Sequence, residues 1–184
     1  MEIPDGRALV TNGDGSYPSG VYSRETFDPS RGISVELLAS FPLTEFKGQT
    51  LGVAIIADPD SAALRAWDHT SLAGPVNSGG TACNANFPAT EGGIGVLKFG
   101  VIGADGPWQF TQTAPPADFY RGGWHRIRLE LTPDGRCALF VDGDLVVRTA
   151  LAARVPGRVR VLIDGHSVGS RMLVREIDLW SGGR

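Results

Sequence analysis

The strongest periodicity along the chain is two. Ile33, Val35, Leu37, Ala39 and Phe41 alternate with Ser34, Glu36, Leu38 and Ser40. Ile127, Leu129 and Leu131 alternate with Arg126, Arg128 and Glu130, while Val159, Val161 and Ile163 alternate with Arg158, Arg160 and Leu162. Successive side chains of a strand point to opposite faces, so each run predicts a strand with one buried and one wet face. Leu51 to Asp58 and Ile94 to Ile102 are more uniformly apolar, which predicts central strands covered on both faces. Cys137 to Asp142, Leu145 to Thr149 and Met172 to Trp180 complete the predicted strands.

Turn residues punctuate these runs. Pro133-Asp134-Gly135 and Asp142-Gly143-Asp144 each separate two β-rich runs and suit tight hairpins, because glycine and aspartate tolerate the positive φ such turns require. Asn12-Gly13-Asp14-Gly15, Asp28-Pro29, Asp58-Pro59-Asp60, Asp105-Gly106-Pro107 and Pro156-Gly157 mark further turns. One short helix is predicted, around Ser61 to Trp67. No long amphipathic helix alternates with the strands, which excludes doubly wound α/β folds and (β/α) barrels. The pattern predicts an all-β protein, a sandwich or barrel of short strands. Ser71 to Gly93 and Thr113 to Gly123 lack clear periodicity and read as irregular segments; the first, rich in Gly, Asn, Ser, Thr and Pro, is long enough to suggest a functional loop.

The last third of the chain carries a resemblance. Gly123-Trp124-His125-Arg126-Ile127-Arg128-Leu129-Glu130-Leu131 is followed by Asp134-Gly135, then Ala138 to Gly143 (ALFVDG), then Leu145-Val146-Val147, and later Ile177-Asp178-Leu179. With Gly32 to Ala39 and Leu51-Gly52-Val53 upstream, this resembles the concanavalin A-like lectin/glucanase superfamily, particularly its laminin-G-like branch. The resemblance implies a two-sheet antiparallel β-sandwich, a jelly roll, with residues 1–184 forming a single lectin-like domain of a larger protein. It also implies that Trp124 is a core tryptophan. Fold does not fix function, and this superfamily holds lectins, glycosidases, sensors and adhesion modules.

Composition narrows the classes of function. Charged residues are 20% and apolar ones 42% of 184, which excludes wholesale disorder. A net charge of −3 argues against broad electrostatic binding of nucleic acid. No apolar run is long enough to span a bilayer, and no basic n-region followed by an apolar h-region opens the chain. Cys83 and Cys137 can bridge or stay free; one pair in a chain of this length is not a disulfide scaffold and leaves the redox compartment open.

Several motifs offer chemistry. Gly165-His166-Ser167-Val168-Gly169 fits the G-x-S-x-G nucleophile elbow, but no histidine follows Ser167 to complete a triad, and β formers rather than a helix come next. We read it as a glycine-rich connection between two late strands. Glu176-Ile177-Asp178 starts like the glucanase Glu-x-Asp-x-(x)-Glu strand, yet the second glutamate is missing; retaining hydrolysis needs two carboxyls about 5–5.5 Å apart. These carboxylates read instead as a solvated strand face. Asp58-Pro59-Asp60 and Asp142-Gly143-Asp144 place carboxylates close together at turns and are the ones to watch for calcium, Asp58 and Asp60 first, since the laminin-G-like branch often holds that ion at a loop rim; a turn-stabilising role is the alternative.

Sugars present apolar C–H faces and hydroxyl rims, so their sites combine an aromatic platform with a few amide or charged partners. Trp67 beside His69, and Trp108 beside Gln109, lie near irregular segments and are the candidate platforms, with Tyr120 and the Asn84/Asn86 pair of the long loop as companions; each aromatic can equally anchor a loop. Arg126, Arg128, Arg158, Arg160, Glu130 and Glu176 fall on predicted wet faces and can form a cross-strand ladder, or an arginine-lined sheet for an acidic glycan. The expectation is a non-catalytic domain that binds a glycan or protein ligand within a larger extracytoplasmic protein, with no cofactor except possible calcium. The alternatives are a glycoside hydrolase or related enzyme of the same superfamily and a protein-contacting adhesion or sensor module.

Overall fold

A computed structural model describes residues 9–11, 19–40, 50–57, 81–88, 97–101, 109–114, 116, 118–150, 152, 157–165 and 172–182. Among them the secondary structure is twelve strands and a 3-10 turn at Pro29–Arg31. The strands are β1 Leu9–Thr11, β2 Ser19–Tyr22, β3 Ile33–Ser40, β4 Thr50–Ala57, β5 Thr81–Pro88, β6 Leu97–Val101, β7 Gln109–Thr113, β8 Trp124–Leu131, β9 Cys137–Val141, β10 Asp144–Arg148, β11 Val159–Gly165 and β12 Met172–Ser181. They form two antiparallel six-stranded sheets. The first has the order β1-β12-β3-β8-β9-β10 and the second β2-β11-β4-β5-β6-β7.

Burial follows the sequence period where the sequence is strictly alternating. In β3, Ile33, Val35, Leu37 and Ala39 are buried and Ser34, Glu36 and Leu38 are half-exposed; β8 repeats this with His125, Ile127, Leu129 and Leu131 inside. These inward faces meet Val53, Ile55, Cys83, Ala85, Phe87, Val161 and Ile163 of the second sheet in one core. The core is tied across the sheets by a disulfide between Cys83 of β5 and Cys137 of β9, with Cα atoms 5.8 Å apart. β4 is buried on both faces, as its uniform apolarity predicts: Ala54 and Ile56 join Leu162 in a second, smaller cluster on the side away from the core.

Both predicted hairpins form. Asp142 and Gly143 take positive φ of 54° and 91° between β9 and β10, the conformation a two-residue I′ turn demands. Between β8 and β9 the amide of Gly135, at φ 81°, donates to the carbonyl of Thr132.

Two expectations are overturned. Ser71 to Gly93 is not irregular throughout, because β5 lies within it and runs through the middle of the second sheet between β4 and β6. Its sequence, Thr-Ala-Cys-Asn-Ala-Asn-Phe-Pro, is poor in β-branched residues, and the strand owes its conformation to partners on both sides rather than to local preference. Trp124 is not a core tryptophan. It sits on the outer face of the first sheet, 36% exposed, with the Arg175 guanidinium 3.9 Å from its ring centroid, while the next residue, His125, turns inward. The predicted helix at Ser61 to Trp67 and the Gly165–Gly169 connection fall wholly or mostly outside the described residues; the next described element after that connection is strand β12, not a helix.

Candidate functional site

The outer face of the first sheet is a ladder of paired charges. Glu36 lies between Arg126 (Nη1 to Oε1, 3.1 Å) and Arg128 (Nη1 to Oε2, 4.0 Å). Arg126 also reaches Glu176 at 3.1 Å, and Arg128 reaches Glu130 at 3.0 Å while its guanidinium lies over the Phe140 ring. Glu176 stands at φ 52° in a bulge of β12, where pairing with β3 slips between Arg175 and Asp178. Glu36, Glu130 and Glu176 therefore each hold an arginine rather than facing one another as an acid and a nucleophile. The ladder reading holds for Arg126, Arg128, Glu130 and Glu176. Arg158 and Arg160 do something else: just before and within β11 of the other sheet, their guanidinium groups donate to Thr26 Oγ1 (2.6 Å) and to the carbonyls of Ser23, Arg24 and Thr26, fastening the segment before the 3-10 turn.

The outer face of the second sheet is built differently. Register places Tyr22, Leu162, Ala54, Asn84, Gly100 and Phe110 in one cross-strand row, and Gly20, Asp164, Gly52, Asn86, Lys98 and Gln112 in the next row on the same face. Cys83, Ala85 and Phe87 alternate with the two asparagines and enter the core, so both asparagine positions belong to the outer face. Glycines at positions 20, 52 and 100 remove side chains between the polar positions, which lowers the floor there. The polar row from Asp164 to Gln112 crosses five strands, about 19 Å at the usual strand spacing, which is the reach of a short oligosaccharide. Asn84 is 7% exposed, and its Oδ1 is buried with no hydrogen-bond partner. Buried polar atoms are nearly always satisfied, so an orphaned amide oxygen marks a place where a donor is wanted.

A third polar feature lies where β8 meets the β9–β10 hairpin. His125 Nδ1 donates to Asp142 Oδ2 at 2.7 Å, and Asp142 Oδ1 accepts from the Arg126 amide at 2.9 Å. The imidazole is buried against Phe119, with ring centroids 5.0 Å apart, and its Nε2 has no partner. The neighbouring Ser40 hydroxyl donates to the Gly122 carbonyl, so no serine–histidine pair is formed here. The carboxylate anchors the hairpin to β8.

Of the residues predicted to bind ligand, Asn86 falls in the polar row. Tyr120 is buried at 3% exposure, edge-on to Phe119, and burial pushes its phenol above the ordinary tyrosine range; in this position the ring is core, with no face turned to a ligand. Trp67, His69 and Trp108, like Asp58 and Asp60, lie outside the described residues. Sequence reasoning offers Asn84 and Asn86 as a pair, but in an irregular loop rather than on a strand face. The signal that finds them is the i, i+2 spacing of two amides in a strand whose other residues, Thr81 apart, are apolar.

No protein-family model matches the chain, and no curated protein matches it in sequence. Solved structures do match. The carbohydrate recognition domain of Emp47p superposes with a TM-score of 0.71 at 11% identity, covering 99% of this chain and 86% of that one. A legume lectin-like domain from Entamoeba histolytica gives 0.67 at 12%, covering 99% and 87%. A GH16 protein of the Bacteroides ovatus mixed linkage glucan PUL, in complex with a product, gives 0.61 at 10%, covering 98% and 84%. The fold is a concanavalin A-like jelly roll. Identities this low show the concanavalin A-like fold alone, and that fold serves lectin domains and glycoside hydrolases alike. No helix among the described residues is long and apolar enough to cross a membrane.

Proposed function

We propose that this concanavalin A-like domain binds a carbohydrate on the outer face of its second sheet and does not cleave it. The observation that carries the reading is the orphaned, buried Oδ1 of Asn84 on a face whose next row holds Asp164, Asn86, Lys98 and Gln112, gapped by glycines. Amides and a mixed pair of charges both donate and accept, which suits the hydroxyl rim of a neutral sugar better than an anionic polymer. A purely structural asparagine would have its carbonyl oxygen satisfied within the protein. The non-catalytic part of the reading rests on the first sheet, where Glu36, Glu130 and Glu176 are each held by arginine. The inter-sheet disulfide supports an extracytoplasmic setting, since such bonds persist in oxidising compartments. Trp67 and Trp108 remain the proposed aromatic platforms, and Asp58 and Asp60 the proposed calcium ligands.

The test is thermal unfolding against a panel of neutral and acidic oligosaccharides, each with calcium and with chelator. A ligand at a hundred times its dissociation constant adds about 2.7 kcal/mol, a shift of several degrees at this size. Neutral sugars are expected to give the rise. Asn84→Ala should abolish it while leaving the unliganded midpoint unchanged or higher, because it removes an unsatisfied atom. A flat panel overturns the reading, and release of reducing ends from a bound oligosaccharide would make the domain a hydrolase.

A further inference from the structure

The first sheet carries a feature that its charge ladder does not explain. At one end of its outer face lies a cavity of about 320 Å³, walled by Ser34, Arg128, Glu130, Thr132, Pro133 and Trp180. That volume is at the small end of the range for ligand pockets. Register sets Trp180 opposite Ser34 and Ser34 opposite Glu130, so an indole, a hydroxyl and a carboxylate stand side by side on three adjacent strands, β12, β3 and β8. Gly32, at φ 75°, adjoins them; a Cβ there would come within 3.0 Å of Pro133 Cδ, so the glycine lets the proline ring sit close to the cavity.

The chemistry of the wall selects a ligand class. Arg128 Nε lies 3.0 Å from Glu130 Oε1, so the two charges that line the cavity cancel and neither a cation nor an anion is favoured. The Ser34 Oγ is buried and has no hydrogen-bond partner. Thr132 Oγ1, by contrast, is engaged with Asp134 and with the Arg136 backbone. A wholly apolar occupant would leave the Ser34 hydroxyl unpaired; a hydroxylated ring would satisfy it. Indole and proline rings supply flat apolar surfaces that match the C–H face of such a ring.

We propose that this cavity is a second saccharide site, which takes a single neutral pyranose ring between Trp180 and Pro133, with ring hydroxyls bonded to Ser34 Oγ and the Glu130 carboxylate. It lies on the opposite sheet from the Asn84 face and does not depend on it. A domain with both sites would hold two saccharide segments on opposite sides of one sandwich.

The experiment tracks the indole N–H signals of ¹⁵N-labelled protein, which has four tryptophans; the Trp180 signal is the one lost in Trp180→Phe. Methyl α-D-glucopyranoside, methyl α-D-mannopyranoside and methyl β-D-galactopyranoside are titrated to about 50 mM, well past a dissociation constant of about 1 mM, with glycerol at equal concentration as the control. The expected result is a saturable movement of the Trp180 signal with at least one glycoside and none with glycerol. Ser34→Ala should weaken that response about tenfold without lowering the unfolding midpoint, since no bond within the protein is lost. A Trp180 signal that never saturates, moves equally with glycerol, or keeps its affinity in Ser34→Ala overturns the proposal. Oligosaccharide binding that is lost in Asn84→Ala but never moves Trp180 overturns this second site alone. A Trp180 response without any effect of Asn84→Ala on oligosaccharide binding overturns the first site alone.

Discussion

On the outer face of the first sheet, Glu36 sits between Arg126 and Arg128, Glu130 holds Arg128, and Glu176 holds Arg126. On the outer face of the second, Asn84 has a buried carbonyl oxygen with nothing to accept from, beside buried Ala54, Ile56 and Leu162. The first face has its carboxylates matched to arginines within the protein, with Ser34 Oγ and the Nε atoms of Arg128 and Arg175 left without a hydrogen-bond partner, whereas the second leaves an amide oxygen unmet with no such ladder around it among the described residues. Charges that answer one another across strands fix register and solubility but offer little to a ligand. A desolvated, unanswered group costs free energy until something binds it, so it is the stronger indicator of function. The cavity at Trp180 repeats that lesson on a small scale, since its wall holds Ser34, whose buried hydroxyl has no hydrogen-bond partner.

The largest test of this contrast concerns what joins the two sheets. The Cys83–Cys137 disulfide closes a loop with a sequence separation of 54. Replacing both cysteines by alanine should lower stability by about 4 kcal/mol on the chain-entropy account, read as a drop in denaturant midpoint. A loss below about 1 kcal/mol would mean that the sheets hold together without it, and would weaken the case for an oxidising compartment.

Next in size is a pair of core truncations. Leu129 belongs to the main core and Ile56 to the outer cluster of the second sheet, and both are fully buried. Leu129→Ala and Ile56→Ala should each cost about 2–5 kcal/mol. If Ile56→Ala costs less than about 1 kcal/mol, the outer cluster of Ala54, Ile56 and Leu162 contributes little packing and the second sheet is held by its core face alone.

The two sheets also differ in how far they could be read from sequence. β3 and β8 of the first sheet alternate strictly, and Asp142-Gly143 specifies the turn that joins the apolar runs of β9 and β10, so period and turn chemistry locate all four within a residue or two. β5 could not be found that way: alanine and asparagine carry little β preference, and only pairing with β4 and β6 makes the segment a strand. β1 and β2 are short edge strands whose partners, β12 and β11, are distant in sequence, which local pattern does not reveal. Trp124 shows the limit of resemblance. A tryptophan opening a strand matches the superfamily's motif, yet one step of register decides the face, and here His125 takes the inside position. The two-sheet jelly-roll fold was legible from hairpin motifs, whereas the placing of Asn84 and Asn86 on a sheet face needed a strand assignment the sequence withheld.

Smaller still is the effect expected at Arg126. Its side chain is half-exposed and touches Glu36 and Glu176, so Arg126→Ala should cost less than about 1 kcal/mol, and less again in about 1 M salt. A larger, salt-insensitive loss would show that the ladder is a desolvated network rather than a set of solvated surface pairs.

The smallest effect is the response to acid, which should come from the first sheet's own turns. The hydrogen bond from Thr132, with help from the Arg136 charge, holds the Asp134 carboxyl below the usual carboxylate range. Hydrogen bonds from the Ser30 hydroxyl and amide do the same for Asp28, which caps the turn leading into β3, aided by Arg158 and Arg31. A carboxyl whose pKa is lower folded than unfolded stabilises the fold above its unfolded value, and that contribution disappears as pH falls through the folded value. Asp134→Asn and Asp28→Asn should therefore be slightly less stable than the parent at neutral pH, and the gap should close as pH falls below about 4. The measurement is the denaturant midpoint of parent and variants at several pH values. A gap that persists at low pH would assign these aspartates a role in turn geometry rather than in charge.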